Sequence, residues 1–242
     1  MNVSDAAMSK EVETQRAYYA ETASHYDEMH LHGDDEHSFA LRFMVSTLES
    51  LGIRSVLDIG SGTGRVLLNI KADAPNISAL GVEPSAELRQ IGHAKGLSET
   101  ELIDGDAMNL AFADGEFDLV CEFAVLHHVP VPAKAVSEML RVARKAVFIS
   151  DSNNFGHGSG KARMLKQALN AMGLWQLAYK IRTGGNGYLI SEGDGLAYSY
   201  SVFDSYKQIR EKCKAIHLLN TVDAGANLYR TASHVALLGI KK

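Results

Sequence analysis

The chain has 242 residues, of which 46% are hydrophobic and two are cysteines. This length and composition fit one globular α/β domain with an elaboration, and they exclude a disulfide framework. The net charge of −5 and the lack of any apolar run of membrane-spanning length predict neither a nucleic-acid nor a membrane partner.

The first fifty residues read as two helices with a polar connection between them. Apolar and aromatic residues at helical spacing, among them Tyr19 and Tyr26, predict helices over 11–26 and 38–51. The connection, 29–37, holds three histidines without a convincing metal-ligand spacing, so we predict a solvated loop and no metal site. The polar N-terminus lacks a signal-peptide core, and a cytoplasmic location is therefore expected.

Residues 56–64 read V-L-D-I-G-S-G-T-G, an apolar strand that runs into three alternating glycines. Such glycines permit a tight turn and a close ligand approach, and the helix N-terminus behind them offers free amides. They predict a cofactor loop at the carboxyl end of a first parallel strand.

Two residues bear on the choice of cofactor. A dinucleotide-binding loop needs a further glycine at position 65, where Arg65 stands. Asp58, at the loop entrance, would repel a pyrophosphate and suits a ligand that carries positive charge. The loop therefore disfavours an NAD-type oxidoreductase, which stays open as a less favoured alternative.

Acidic residues stand at the ends of the next predicted strands. Glu83, followed by Pro84, is placed to accept the two ribose hydroxyls of an adenosine nucleoside. Asp106, followed by Ala107, is placed to meet the adenine amino group. Glu122 ends a fourth strand, and the segment Phe123-Ala124-Val125-Leu126-His127-His128-Val129 follows it.

In this order and spacing, the motifs resemble those of the class I S-adenosylmethionine-dependent methyltransferases that act on small molecules, over about residues 15–151. The resemblance implies a Rossmann-like, doubly wound, seven-stranded and mostly parallel sheet with an antiparallel last strand. It also implies an N-terminal helical lid (1–52) and a core (53–242) that carries an acceptor cap (152–212) between strands five and six. The cofactor-binding residues that it implies are Asp58, Gly60, Ser61, Gly62, Gly64, Glu83, Pro84, Asp106, Ala107, Glu122, Tyr19 and Tyr26.

From residue 55 onward, strands and helices alternate, which predicts a parallel sheet. The predicted strands are 55–60, 78–83, 101–104, 118–122 and 146–151, with helices at 63–72, 85–94 and 132–143. Within the cap, Ser159 is predicted to begin one helix that runs to about Arg182, followed by a short strand at 198–202 and a helix at 203–213. Strands 214–222 and 233–240 would close the sheet as an antiparallel pair.

Methyl transfer to a hydroxyl also requires that the acceptor lose a proton. His127 and His128 are the predicted catalytic residues, because they follow the fourth strand and histidine titrates near neutrality. Asp151 and His157 are further candidates for the base.

The predicted function is methyl transfer from S-adenosyl-L-methionine to a small-molecule acceptor, at an oxygen of a sugar, a phenol or another secondary metabolite. Two alternative functions stay open: N-methylation of an amine or amino sugar, and a non-catalytic S-adenosylmethionine-binding relative. The sequence also leaves a homodimer open.

Charge is uneven along the chain: residues 1–121 hold 21 acids and 8 Lys or Arg, and residues 122–242 hold 8 acids and 16 Lys or Arg. A mildly anionic acceptor would suit the basic half, but scattered surface charge is the favoured explanation of the pattern.

Overall fold

The computed structural model describes residues 3–30, 35–222 and 225–242. Residues 31–34 of the predicted polar connection, which include His32, lie outside the described residues. The same holds for residues 223–224, between the two closing strands, and for Met1 and Asn2.

The strands are β1 (Ser55–Ile59), β2 (Ser78–Val82), β3 (Leu102–Ile103), β4 (Phe117–Phe123), β5 (Ala143–Ser152), β6 (Tyr188–Ser191), β7 (Gly195–Tyr198), β8 (Cys213–Asn220) and β9 (His234–Lys241). The α-helices are α1 (Val3–Thr22), α2 (Tyr26–His30), α3 (Glu36–Thr47), α4 (Arg65–Asp73), α5 (Ala86–Ala94), α6 (Pro132–Val142), α7 (Gly160–Ala171), α8 (Trp175–Arg182), α9 (Val202–Lys212) and α10 (Leu228–Thr231). Short 3-10 turns cover Ala23–His25 and Leu126–His128.

Seven strands form one sheet in the order β3-β2-β1-β4-β5-β9-β8. The strands from β1 to β5 pair in parallel, and β9 runs antiparallel between β5 and β8. The predicted fold class, with its antiparallel last strand, is thereby confirmed. A separate antiparallel hairpin of β6 and β7 lies in the cap region.

Both faces of the sheet are covered by apolar packing. Val56 and Leu119 are register partners and belong to one core cluster, whereas the next pair, Leu57 and Val120, belongs to the other. Because side chains alternate along a strand, each central strand contributes to both clusters and must be apolar throughout. This double burial explains why the strands read as continuous apolar runs in the sequence.

The order of the strands reverses beside β1. The chain leaves β1 for β2 and β3 on one side and then returns to β4 on the other side. In open α/β sheets such a reversal leaves a crevice outside the carboxyl ends of the strands, where ligands bind. The loops that follow β1 and β4 border this crevice.

The cap differs from its prediction in three respects. The single helix expected from Ser159 to Arg182 is two helices, because the chain turns at Gly173, whose φ is +71°. Met164, Leu165, Met172 and Leu177 of these helices are exposed, and Trp175 and Tyr179 make the buried contact. The short strand was expected at 198–202, but it is β7 (Gly195–Tyr198), which pairs with β6. No helix in the described part of the chain is long and apolar enough to cross a membrane.

Candidate active site

The loop between β1 and α4 depends on its glycines. Gly60 and Gly62 have φ of +66° and +56°, in the left-handed region that other side chains disfavour. The amides of Gly60 and Ser61 donate to the Val82 carbonyl at 2.8 and 3.0 Å, which fixes the loop against β2. A Cβ on Gly62 would lie 2.8 Å from the Tyr26 hydroxyl, so α2 can approach the loop this closely only when residue 62 is glycine.

Gly64 and Arg65 start helix α4. Gly64, with φ of +87°, is the N-cap residue, and a Cβ there would lie 2.2 Å from Leu97. The Arg65 guanidinium pairs with the Asp35 carboxylate at 3.0 Å, at the start of α3. Arg65, which stands where a dinucleotide loop would need glycine, thus connects the loop to the N-terminal helices.

Glu83 follows β2 and points its carboxylate at the loop. Its Oε2 accepts the Gly62 amide at 3.0 Å, and its Oε1 accepts the Ser85 amide at 2.8 Å. The side chain is buried, and this burial raises the pKa of the carboxyl to about 6. Each carboxylate oxygen retains a second lone pair, so two ligand hydroxyls could donate to it.

Asp58 is a buried acid at the end of β1. Its Oδ1 accepts only a long 3.6 Å contact from the Cys121 thiol, and its Oδ2 has no hydrogen-bond partner among the described residues. Burial raises the pKa of this carboxyl to about 7. A buried acceptor without a partner is costly unless a ligand satisfies it, and a cationic group would do so best.

An inner cavity of about 130 Å³ lies between α1, the glycine loop and the ends of β2 and β3. Its walls include Tyr19, Tyr26, Gly60, Glu83, Pro84, Asp106 and Ala107, all of which the sequence predicted as cofactor residues. Asp106 also accepts the Met108 amide at 2.8 Å, so it caps its own turn while facing this cavity. Asp58 and Ser61 border a smaller void of about 30 Å³, which shares Tyr26, Gly60 and Phe123 with the inner cavity.

Glu122 is fully buried and is not among the residues that line the inner cavity. Its Oε2 accepts the Val125 amide at 2.9 Å, and burial together with the nearby Asp151 carboxylate raises its pKa well above the usual range. Glu122 therefore holds the turn after β4. In that turn Ala124 has φ of +61°, a strained value for alanine, and its amide donates to the Ser150 carbonyl.

An outer cavity of about 640 Å³ lies between the ends of β4, β5 and β9, the start of α3 and the cap. The cap contributes Lys166, Tyr179, Arg182 and Asp194 to its walls. The inner and outer cavities share Tyr19, Tyr26, Phe123, Ala124 and His128. We call this shared boundary the junction.

His127 is held between two carboxylates. Its Nδ1 lies 2.6 Å from Asp151 Oδ1, and its Nε2 lies 3.6 Å from Asp194 Oδ2. Burial alone would lower its pKa, but the two carboxylates outweigh burial and raise the pKa well above the usual value. The two carboxylates thus favour the protonated form of His127, which makes it a poorer proton acceptor than a free imidazole.

His128 occupies the junction and is oriented by the cap. Its Nδ1 lies 2.7 Å from the Leu196 carbonyl, which assigns a proton to Nδ1. Its Nε2 lies 3.3 Å from Asp194 Oδ1. Any proton taken up at Nε2 would therefore be stabilised by the Asp194 carboxylate.

Comparison with known proteins shows what this chain is similar to. Residues 57–149 match a family model described as a methyltransferase domain. The chain is 38% identical over 95 residues to norajmaline N-methyltransferase of Rauvolfia serpentina and 38% identical over 89 residues to demethylmenaquinone methyltransferase of Roseiflexus sp. (strain RS-1). Over these residues the chain resembles the class I S-adenosylmethionine-dependent methyltransferases. The two alignments cover 37% and 36% of this chain and 32% and 37% of those relatives.

A solved structure shares the fold of this chain. Magnesium protoporphyrin IX methyltransferase from Synechocystis PCC 6803, solved with S-adenosylhomocysteine bound, matches with a TM-score of 0.61 at 16% identity. The match covers 96% of this chain and 100% of that one. S-adenosyl-L-methionine is the cofactor of the class of methyltransferases that this chain resembles, and the unpartnered Asp58 oxygen, which suits a cationic group, fits it.

Some residues of the site could not be found from the sequence. Gln15 and Arg16 line the inner cavity, but they sit on a helix without any motif. Asp194 contacts both histidines from the turn between β6 and β7, far away in sequence. Asn153 lines the outer cavity and donates to three carbonyls in and after α10, which ties the end of β5 to α10.

Proposed function

We propose that this chain transfers the methyl group of S-adenosyl-L-methionine to an oxygen of a small molecule bound in the outer cavity. The observation that carries the proposal is the junction, where the inner and outer cavities share five residues. A donor in one cavity and an acceptor in the other would meet there. Such juxtaposition supplies much of what an in-line displacement requires.

The residues of the inner cavity fit the parts of the donor. Glu83 would accept the ribose hydroxyls, Asp58 the ammonium group, and Asp106 with the Ala107 amide the adenine. The bound cofactor supplies a methyl group activated by a sulfonium. Tyr19 and Tyr26 line the cavity on its N-terminal side, where they would exclude water from the junction.

His128 is the residue that we assign as proton acceptor. It lines both cavities, its Nδ1 proton is held by the Leu196 carbonyl, and its Nε2 faces Asp194. A proton that leaves the acceptor hydroxyl would pass to Nε2, and the new cation would lie beside the Asp194 carboxylate. His127, already protonated, would position Asp194 rather than take the proton.

The walls of the outer cavity favour a polar acceptor. Lys166, Arg182 and His157 of the cap face it, and no acidic residue occurs between residues 152 and 191. Asp35, Glu36 and Asp194 line the same cavity. The cap cations suit a carboxylate or another anionic group on the acceptor, and the three carboxylates suit its hydroxyls. The N-methyltransferase name of one relative keeps an amine acceptor as the second candidate.

Calorimetry with S-adenosylhomocysteine and NAD tests the donor site. We expect S-adenosylhomocysteine to bind, NAD to fail, and Glu83→Ala to weaken S-adenosylhomocysteine binding about tenfold or more, because each ribose hydroxyl loses a charged acceptor. Binding of NAD alone would contradict the proposal.

Turnover tests the acceptor site. S-adenosylhomocysteine release would be measured with a phenol, a uronic acid and an amino sugar as probe acceptors. For an oxygen acceptor, His128→Gln should lower kcat by about 100-fold or more while S-adenosylhomocysteine affinity changes little. Full activity of that variant would remove His128 as the base and favour a neutral amine acceptor, whereas cofactor binding without turnover on any probe would favour a non-catalytic relative.

A further inference from the structure

Three metal-ligating side chains meet in one wall of the outer cavity, away from the junction. Glu36 and His37 begin α3, and His234 begins β9. One donor atom from each lies within 4.8 Å of those of the other two. We propose that Glu36, His37 and His234 bind a divalent transition-metal ion, a site that the sequence spacing did not predict.

The distances already resemble those of a ligand set. Glu36 Oε1 lies 3.3 Å from His234 Nε2 and 3.9 Å from His37 Nε2, so one carboxylate oxygen faces both imidazole nitrogens. The two imidazole rings are perpendicular to each other, with centroids 5.6 Å apart. Both Nε2 atoms can therefore point at a common centre without the rings colliding.

The surroundings hold His37 in the orientation of a ligand. Its Nδ1 lies 2.9 Å from the Ser150 hydroxyl in the buried end of β5. A histidine that ligates a metal through one nitrogen usually hydrogen-bonds through the other, which fixes ring and tautomer. His234 has a comparable contact, 3.2 Å from its Nδ1 to the Ser233 hydroxyl.

The donor set selects the kind of ion. Two imidazole nitrogens and one carboxylate oxygen suit Zn²⁺, Co²⁺ or Fe²⁺, whereas Mg²⁺ prefers oxygen ligands and retains its water. Three protein ligands leave at least one coordination position open. Because all three residues line the outer cavity, that position faces the space assigned to the acceptor.

A second group of metal-ligating residues, His127, His128 and Asp194, is less suited to an ion. Its two Nε2 atoms face different oxygens of Asp194, at 3.6 Å for His127 and 3.3 Å for His128. The raised pKa of His127 also keeps its Nε2 protonated. These groups already neutralise one another, whereas the Glu36 cluster has both Nε2 atoms directed at one oxygen.

The location gives the ion a function in the proposed reaction, and this step rests on the proposed function. Ser150, which orients His37, is the register partner of Phe123 at the junction. An ion in this wall would hold an oxygen of the acceptor, such as a carboxylate or a second hydroxyl, and orient the molecule toward the junction. The substrate class would then be an acceptor with at least two oxygen donors.

Binding of the metal alone tests the site. Full-length protein without an affinity tag would be dialysed against a chelator and titrated with Zn²⁺, Co²⁺ and Mg²⁺ by calorimetry. We expect one Zn²⁺ or Co²⁺ per chain, no comparable Mg²⁺ binding, and visible absorption of the Co²⁺ form typical of mixed nitrogen and oxygen ligands. A wild-type protein that binds neither Zn²⁺ nor Co²⁺ would overturn the proposal.

Variants locate the ion. His234→Ala, His37→Gln and Glu36→Gln should each weaken Zn²⁺ binding at least tenfold, and Ser150→Ala should weaken it while leaving all three ligands in place. His217→Ala, at an exposed histidine of β8, is the matched control and should bind as the wild type does. Unchanged affinity in both His37→Gln and His234→Ala would place the ion elsewhere.

S-adenosylhomocysteine affinity, measured on the same variants, separates the two proposals. The three ligands do not line the inner cavity, so this affinity should stay at the wild-type value and report that each variant is folded. Metal binding without S-adenosylhomocysteine binding in the wild type would leave the metal site standing and contradict the proposed function. The converse result would contradict the metal site alone.

Discussion

Two buried carboxyls in the donor site titrate near neutrality, which makes cofactor binding depend on pH. Burial raises the pKa of Asp58 to about 7 and that of Glu83 to about 6. A protonated Asp58 cannot pair with the ammonium group, so binding must first release its proton. We expect S-adenosylhomocysteine affinity to be constant at high pH and to fall as the pH drops through 7, by up to about tenfold per pH unit for each group.

Calorimetry from pH 8.5 to 5.5 checks this expectation, with Asp58→Asn as the comparison. Asp58→Asn should bind S-adenosylhomocysteine weakly at every pH, and its affinity should no longer change with pH near 7. An affinity that does not vary over this range would show that neither carboxylate changes its protonation on binding.

The buried pair of His127 and Asp151 should contribute to stability over a defined pH range. The pKa of His127 is raised, so its contribution is complete below about 6.5 and disappears as pH rises through its folded value. The pKa of Asp151 is lowered, chiefly by the opposing charge of His127, against the effect of burial. Its contribution is present above about 4 and disappears as pH falls further. Both contributions are complete between these limits.

His127→Gln should therefore lower the unfolding free energy by about 3 kcal/mol near pH 6, since it leaves a buried carboxylate without its cation. The amides of Leu126 and Ser152 still donate to Asp151 in this variant. The loss of unfolding free energy should therefore lie at the low end of the range for a broken buried ion pair. Urea unfolding at pH 6 and pH 3 measures it, and the difference between wild type and variant should shrink at pH 3. An equal difference at both pH values would indicate lost packing rather than lost charge.

Sequence reasoning reached the residues of the site that belong to the glycine loop and the strand ends. A tight turn requires glycine, and an acid at the end of a strand lies in the crevice, so both kinds of residue can be recognised from the local sequence. Asp194 and Gln15 cannot be recognised in this way, because their roles arise from contacts between segments far apart in the chain. Glu122 stands at a motif position, and its carboxylate holds the turn after β4.

At the scale of the elements, the glycine loop fits against α2 only because Gly62 has no side chain. Gly62→Ala would add a Cβ 2.8 Å from the Tyr26 hydroxyl, at a φ of +56°. We expect it to weaken S-adenosylhomocysteine binding about tenfold or more, because Tyr26 must move from the cavity wall and the Gly62 amide must leave Glu83. Calorimetry measures the loss.

Gly96→Ala is the matched control. Gly96 has φ of +100°, and a Cβ there would meet nothing within 4 Å, so this variant carries backbone strain without a steric contact. It should lower stability by about 1 kcal/mol and leave binding unchanged. Tyr26→Phe should partly restore binding to Gly62→Ala, since it removes the contacting hydroxyl, and failure to do so would assign the defect to the loop itself.

The sheet was the most predictable set of elements, and the cap the least. Central strands are buried on both faces, so their apolar runs identify them almost to the residue. Helices α7 and α8 bury only a few aromatic residues, and Met164, Leu177 and Ile181 are exposed. An apolar pattern therefore failed to indicate which side of the cap helices faces inward, and it gave no sign of the turn at Gly173.

At the scale of the whole molecule, the N-terminal helix and the cap are joined across the site. Gln15 Oε1 of α1 accepts the Leu196 amide of β7 at 2.5 Å, and the Tyr198 hydroxyl of β7 donates to Glu11 at 2.6 Å. The Tyr18 hydroxyl donates to the Glu192 carbonyl at 2.8 Å. Helix α1 lines the inner cavity and the hairpin of β6 and β7 lines the outer one, so ordering of one should order the other.

Hydrogen exchange tests this connection. S-adenosylhomocysteine should slow amide exchange in α1, which lines the inner cavity, and also in residues 188–198, which do not. Gln15→Ala leaves the buried Leu196 amide without its acceptor, at a cost of about 1–3 kcal/mol, and should abolish the effect in the hairpin while α1 still responds. Gln167→Ala, which removes a cap glutamine bonded to the Phe155 carbonyl, should leave the response of the hairpin intact. If amide exchange in the hairpin does not change when the wild type binds S-adenosylhomocysteine, α1 and the cap move independently. The cavity for the acceptor would then be formed before the donor binds.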